Sequence, residues 1–125
     1  MTHTGIRLGL IAMVVVAALA GASARQATAA KKGYFIAEVD VTNPQQYGEY
    51  AKLSPGVIEK FGGRFIARGG QVASLEGAAA APRVVIVEFP SFERAQQFYN
   101  SPDYQTIRKL RVGAANFRGV LVEGL

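Results

Sequence analysis

Three charged residues combine the side-chain types that acid–base chemistry on a carbonyl compound requires. Glu38 and Arg68 fall in segments that alternate as strands do, and Glu88 falls in a strand-like run of β-branched residues. With a strand order of 4-1-3-2, they lie on three adjacent strands and share one face of the sheet. A carboxylate there serves as a base while the guanidinium binds an anionic or carbonyl-bearing ligand. Glu88 and Glu38 are therefore the candidate catalytic residues, and the alternative is a row of charge pairs at a subunit interface.

A second candidate group lies around a joint between two short helices. Tyr99, Tyr104 and Arg111 flank the segment Asn100-Ser101-Pro102. Two phenols and a guanidinium are suited to the wall of a pocket between helix and sheet. We count Arg68, Tyr99, Tyr104 and Arg111 as candidate ligand-binding residues. The alternative is that the tyrosines are core aromatics and that Arg111 interacts with a helix C-terminus.

Missing residue types exclude several kinds of site. The 125 residues contain no Cys, and the one His is His3, near the start of the chain. Disulfides, thiol catalysis and a Ser-His-Asp triad are therefore excluded from the remainder. Zinc, copper and haem sites usually need His or Cys as ligands, so we predict no metal site and no cofactor. The net charge of +5 is spread along the chain, which does not favour nucleic acid as a partner.

The first 24 residues have the pattern of an export signal. Residues 8–20 are uncharged and apolar, and small residues suited to cleavage follow at 22–24 and at 27–29. The apolar run is shorter than the ~20 residues that a membrane-spanning helix needs. We predict a signal peptide over 1–24, with cleavage as late as 29, and no stable membrane anchor afterwards. The mature protein is predicted to be periplasmic or secreted, with a tether over 25–32 and one domain over 33–125.

The remaining elements predict an α+β domain. Alternation predicts a strand over 34–41, and Asn43-Pro44 opens a helix that ends at Gly62-Gly63, with a kink or a fresh start at Pro55. Further strands are predicted over 64–68, 83–89 and 116–123, with an extended segment over 71–75. Ser91 and Ser101 each begin one part of a split second helix. The order β-α-β-β-α-β indicates a ferredoxin-like fold, an antiparallel four-stranded sheet with its helices on one face.

The opposite face of this sheet is predicted to bind a second copy of the chain. It carries Ile36, Ile66, Val84 and Ile86 among charged residues, and such a surface is too apolar to remain in water. Another sheet is the simplest cover, which predicts a homodimer packed sheet to sheet.

Several segments together resemble the domain of unknown function 1330 family. They are Gly33-Tyr34, Val39-Asp40-Val41, Gly62-Gly63-Arg64-Phe65, Arg68-Gly69-Gly70, the run from Arg83 to Ser91, the run from Tyr99 to Tyr104, Arg111, and Val122-Glu123-Gly124. The resemblance implies membership of the dimeric α/β-barrel superfamily, in which two ferredoxin-like units pair their sheets. That superfamily includes cofactor-independent monooxygenases, haem-degrading enzymes, isomerases and binding proteins, so the fold alone does not specify the activity.

The sequence leaves three functions open. The first is an exported dimeric module that binds a small apolar or aromatic molecule. The second is a cofactor-independent enzyme of the monooxygenase or isomerase type, with Glu88 or Glu38 as base and Arg68 or Arg111 stabilising negative charge. The third is a structural or interaction dimer, which a solidly filled space between helix and sheet would favour.

Overall fold

The computed structural model describes residues 29–125. Its strands are β1 (Gly33–Val41), β2 (Arg64–Ala67), β3 (Arg83–Phe89) and β4 (Ala115–Glu123). Its helices are α1 (Pro44–Lys60), α2 (Phe92–Asn100) and α3 (Pro102–Arg108), followed by a 3₁₀ turn over Lys109–Arg111. The predicted signal peptide lies outside the described residues. Within them, every helix is too short or too polar to cross a membrane.

The four strands form one antiparallel sheet in the order β2-β3-β1-β4. This is the predicted order, and the ferredoxin-like α+β fold is confirmed. β1 lies in the middle, where Ile36 pairs with Ile86 of β3 on one side and with Val120 of β4 on the other. These three residues therefore share the face of the sheet that carries no helix.

The core lies between the helices and the other face of the sheet. Every second residue of β1 points there, because side chains alternate along a strand, and Phe35, Ala37 and Val39 are buried. Phe98 of α2 and Tyr104 of α3 are fully buried against them, with ring centroids 4.4 Å apart. The split between α2 and α3 is as predicted. The Ser101 side chain caps α3 by accepting a hydrogen bond from the Tyr104 amide.

Helix α1 begins and ends at the residues that the sequence indicates. The Asn43 side chain accepts a hydrogen bond from the Gln46 amide, and Pro44 occupies the first turn. At the other end Gly62 has φ = 77°, a left-handed conformation that glycine adopts without steric cost. The predicted fresh start at Pro55 is wrong, since α1 continues through this residue without interruption.

Helix α1 is fixed at its two ends rather than along the sheet. Near its start the Gln46 side-chain amide donates to the carbonyls of Leu110 and Val112, at 3.1 Å and 3.0 Å. Near its end Lys60 pairs with Asp103 of α3. Between these two contacts α1 packs chiefly against α3 and the 3₁₀ turn. The backbone of its middle therefore stands away from the sheet, while the Tyr47, Tyr50 and Ile58 side chains are buried toward it.

The structure corrects the sequence prediction in and after β2. The pairing of β2 with β3 shifts between Phe65 and Ala67, which is a β-bulge. The strand then ends at Ala67, one residue earlier than predicted. The predicted extended segment over 71–75 does not continue β2. The chain from 68 to 82 contains no helix or strand and is mostly exposed.

Candidate functional site

A cavity of about 480 Å³ lies between the middle of α1 and the sheet. This volume falls within the range of small-molecule sites. The sheet contributes Phe35, Ala37, Val39, Phe65, Arg83, Val85, Val87 and Phe117; α1 contributes Tyr47, Tyr50, Ala51, Ser54 and Ile58; and the two ends of the β2–β3 loop contribute Arg68, Gly69, Gly70 and Pro82. Aromatic and aliphatic side chains thus form most of its wall, and none of its lining residues is acidic.

Two tyrosines of α1 line the cavity. Tyr47 and Tyr50 lie on the same side of the helix, because residues three apart are neighbours on a helix surface. Their ring centroids are 5.5 Å apart. The Tyr50 hydroxyl lies 2.8 Å from that of Tyr104, and an Arg111 terminal nitrogen donates to the Tyr104 hydroxyl at 3.5 Å. The polar chain therefore runs from Arg111 through Tyr104 to Tyr50.

Burial favours one direction of the hydrogen bond between Tyr50 and Tyr104. Tyr104 has no exposed surface, whereas Tyr50 is 6 % exposed and lines the cavity. Either hydroxyl of the pair can donate to the other. Because a buried hydroxyl proton without an acceptor is costly, the arrangement in which Tyr104 donates to Tyr50 and accepts from Arg111 is favoured. In that arrangement the proton of Tyr50 is available to an acceptor atom in the cavity.

Arg111 is a buried cation behind the cavity wall. It is 7 % exposed, and its Nε has no hydrogen-bond partner within the described residues. Its guanidinium lies 3.6 Å from the ring centroid of Phe117 and 5.3 Å from that of Tyr50. These rings offer a cation–π attraction, but none of the ion pairs within residues 29–125 involves Arg111.

Two further arginines stand at the mouth of the cavity. Arg68 stacks 4.3 Å from the ring centroid of Phe65, and Arg83 lies 5.5 Å from that of Tyr47. One is thus positioned on the sheet side of the mouth and the other beside α1. Neither takes part in an ion pair among the described residues.

The cavity environment raises the pKa of both α1 tyrosines. Loss of solvent is the main cause for Tyr50, and its contact with Tyr104 adds to it. Loss of solvent also raises the pKa of Tyr47, while Arg83, Arg111 and Arg68 each oppose that rise through their charge. All three cations therefore act on the one hydroxyl group of Tyr47, and their positive potential converges on the cavity.

The predicted row of Glu38, Arg68 and Glu88 is not assembled. The bulge in β2 reverses the alternation, so Arg68 points to the helix side, whereas Glu38 and Glu88 lie on the opposite face. Glu88 pairs with Tyr34, four residues before Glu38, which separates the two carboxylates by about 13 Å along the strand.

Each of these carboxylates already has partners on the outer face. Glu38 pairs with Arg118 at 3.0 Å. Glu88 pairs with Arg64 at 3.1 Å and accepts a hydrogen bond from the Tyr34 hydroxyl at 3.2 Å. The two candidate bases are thus held in separate ion pairs, away from the cavity.

The second predicted group is brought together. The ring centroids of Tyr99 and Tyr104 lie 5.4 Å apart, and Tyr104 and Arg111 are joined as described. Tyr99 and Arg111 line a separate cavity of about 360 Å³ against β4. Phe35 and Phe117 contribute to both cavities and form the wall between them. Gly119 leaves room for this wall, because a Cβ atom there would lie 2.9 Å from the Phe35 ring.

Sequence reasoning did not select Tyr47, Tyr50 or Arg83 as site residues. Tyr47 and Tyr50 lie three residues apart, and this spacing was the available signal for a shared aromatic surface on α1. Arg83 follows a loop and begins a strand, so nothing in its neighbourhood indicated a pocket. Among residues 29–125, no cluster of His, Cys, Asp or Glu could hold a metal ion.

Solved structures share this fold at low sequence identity. The RPA0582 protein of unknown function from Rhodopseudomonas palustris is 22 % identical, with a TM-score of 0.59 over 87 % of this chain and 92 % of that one. A dimeric ferredoxin-like protein of unknown function from Bacteroides fragilis is 9 % identical, with a TM-score of 0.51 over 74 % and 95 %. A putative antibiotic biosynthesis monooxygenase from Caulobacter crescentus is 8 % identical, with a TM-score of 0.51 over 78 % and 92 %.

The sequence comparisons are more specific about the family than about the activity. No curated protein is significantly similar to the chain. The family model described as Domain of unknown function (DUF1330) matches residues 32–125, which include every strand and helix of the structure. The chain therefore belongs to the DUF1330 family.

Proposed function

We propose that this protein is an exported homodimer that binds a small apolar or aromatic molecule in the cavity beneath α1. The observation that carries the proposal is the open space of about 480 Å³ between α1 and the sheet. A structural dimer has no use for it, since a gap in a close-packed interior forfeits dispersion contacts along its whole lining. A ligand that fills the cavity restores those contacts.

The chemistry of the wall supports a ligand that is mainly apolar. Rings from Phe35, Tyr47, Tyr50, Phe65 and Phe117 surround the space, and aromatic walls with a few convergent polar groups are typical of small-molecule sites. The Tyr50 hydroxyl supplies one donor that orients a ligand oxygen.

The enzymatic alternative has less support from the geometry. None of the residues lining the cavity is a carboxylate, and Glu88 and Glu38 lie on the far side of the sheet in ion pairs with arginines. An enzyme that used either of them would need its substrate on the outer face, which the proposed dimer covers.

A ligand screen tests binding. Molecules that bind only the folded state raise its melting temperature, so we expect positive shifts from small aromatic compounds. Ala51 lines the cavity from α1, so Ala51→Leu should occupy part of it, reduce these shifts and preserve the fold. Lys52→Leu alters the neighbouring exposed position and should leave binding intact. The absence of any shift over a broad aromatic panel would refute the proposal.

Export is tested on the same full-length chain in a bacterial host. The expected result is a periplasmic or secreted product whose first residue follows position 24 or, at the latest, 29, as read by intact mass. A cytoplasmic protein that retains residues 1–24 would show that this part of the proposal is wrong.

A further inference from the structure

We infer that the ligand of the cavity is an amphipathic anion, namely a carboxylate with an aromatic or alicyclic body. This inference rests on the proposed binding function and specifies the class of ligand. The apolar body occupies the space beneath α1, and the carboxylate lies at the mouth between Arg68 and Arg83.

The first argument is the sign of the charges around the cavity. The charged side chains in its lining are Arg68 and Arg83, and neither cavity has an Asp or Glu in its wall. On the outer face of the sheet Arg64 and Arg118 are paired with Glu88 and Glu38, whereas Arg68 and Arg83 have no acidic partner among the described residues. The cavity lining therefore carries positive charge without compensation.

The second argument is the placement of the two guanidinium groups at the mouth. Arg68 is stacked on Phe65 and Arg83 lies over Tyr47, so both are held against the apolar lining while their N–H groups remain available. A guanidinium offers planar, paired donors that match a carboxylate, and charge-assisted bonds of this kind are among the strongest. An apolar molecule with an acid group at one end fits this distribution of donors.

The third argument is the buried cation behind the wall. Arg111 is more than nine-tenths buried with an unpartnered Nε, and its charge acts on the Tyr47 hydroxyl together with Arg68 and Arg83. An unpaired buried cation lowers stability, whereas an anion bound in the neighbouring cavity would compensate part of its charge. Tyr50 also presents a donor to the cavity, as derived above, and no wall carboxylate competes with a ligand for it.

The experiment compares three probes that share one ring system: naphthoate, the neutral naphthalenemethanol and the cationic naphthylmethylamine. Calorimetric titration of the intact processed dimer should show naphthoate binding roughly tenfold or more tightly than the alcohol. The affinity for naphthoate should decrease as salt is added, since salt screens charges at an exposed mouth. The amine should bind least well.

Variants locate the charge that is responsible. Arg68→Gln and Arg83→Gln should each weaken naphthoate binding by roughly tenfold and leave the affinity for naphthalenemethanol unchanged. Both side chains are exposed, so the fold should tolerate these changes. Arg94 is the matched control, because it also stacks on an aromatic ring, Phe61, but lies outside the cavity. Arg94→Gln should bind all three probes as the wild type does.

The outcomes separate the two proposals. If the alcohol binds as tightly as naphthoate and salt has no effect, the anion inference is overturned while the apolar binding site stands. If the amine binds best, the sign of the inferred charge is wrong. If none of the three binds to the folded dimer, both the binding function and the ligand class fail.

Discussion

The hydroxyl groups of Tyr50 and Tyr104 lie 2.8 Å apart, although the two residues are separated by 54 positions in the chain and come from different helices. This contact joins α1 to α3 at the inner end of the cavity. It also connects the buried Arg111 to a residue of the cavity wall. This one hydrogen bond therefore helps to hold α1 in place, and it links the buried cation to the wall of the candidate site.

The first prediction concerns the stability that this contact provides. Tyr104→Phe removes an acceptor from Arg111 and a donor from Tyr50, so the free energy of unfolding should fall by about 1–3 kcal/mol. Tyr50→Phe should cost less, because its hydroxyl also faces the cavity. In the double variant the free energy of unfolding should fall by less than the sum of the two single losses, because both single changes remove the same bond. Urea denaturation measures all three values, and strictly additive losses would contradict the proposed chain of hydroxyls.

The second prediction is a loss of stability in alkali. The folded state raises the pKa of Tyr50, chiefly through burial, whereas the unfolded chain releases the tyrosine proton near pH 10. The unfolded state therefore holds fewer protons above pH 10, and the stability contributed by Tyr50, complete below that pH, declines as the pH rises further.

Tyr50→Phe isolates this effect from other groups that titrate in alkali. Above pH 10 the free energy of unfolding should fall with rising pH more steeply in the wild type than in the variant. The difference between the two slopes should be up to about 1.4 kcal/mol per pH unit. Denaturation curves collected from pH 9 to pH 12, a range set around the ordinary tyrosine pKa, provide the comparison. Parallel curves would show that the hydroxyl is not buried in solution.

The third prediction concerns the outer face of the sheet. Ile36, Ile86 and Val120 lie side by side on this face, and Ile86→Lys should place a charge at the centre of the proposed sheet-to-sheet interface. Burying an unpaired charge costs several kcal/mol, so the variant should be monomeric by analytical ultracentrifugation. Leu53→Lys is the control, because Leu53 is an exposed apolar residue of α1 outside this face. A wild-type protein that is monomeric at micromolar concentration would refute the dimer.

The local patterns were sufficient to predict the fold. Alternation located β1, a run of β-branched residues located β3, and the apolar residues at 120–122 located β4. The caps at Asn43, Ser91 and Ser101 fixed where the helices begin. The order of these elements along the chain then specified the order of the strands in the sheet. Few strand orders are possible when neighbouring strands are antiparallel and all helices lie on one face.

The candidate site could not be predicted to the same extent, for physical reasons that single residues illustrate. One extra residue at Ile66 moves Arg68 to the other face of the sheet, and a bulge of this kind leaves no clear signal in a short strand. The contact between Tyr50 and Tyr104 depends on how α1 crosses α3, which alternation and helical periodicity do not describe. Glu38 and Glu88 were correctly placed on the same face, but their separation depends on the register of β1 against β3.

The fourth prediction follows from the isolation of Arg111. Its guanidinium is buried, and among residues 29–125 it has one long hydrogen bond, to Tyr104, and no acidic partner. Replacing such a cation with an apolar side chain of similar length removes an uncompensated desolvation cost. Arg111→Met should therefore raise the free energy of unfolding of the ligand-free protein by about 1 kcal/mol or more, while it weakens the binding of naphthoate.

Arg108→Met is the control, because it changes the half-buried arginine three residues earlier. It should not combine a gain in stability with a loss of naphthoate binding. A loss of stability in Arg111→Met would mean that stacking on Phe117 and the bond to Tyr104 outweigh the cost of burying the charge, and the cation would then be a structural element of the fold.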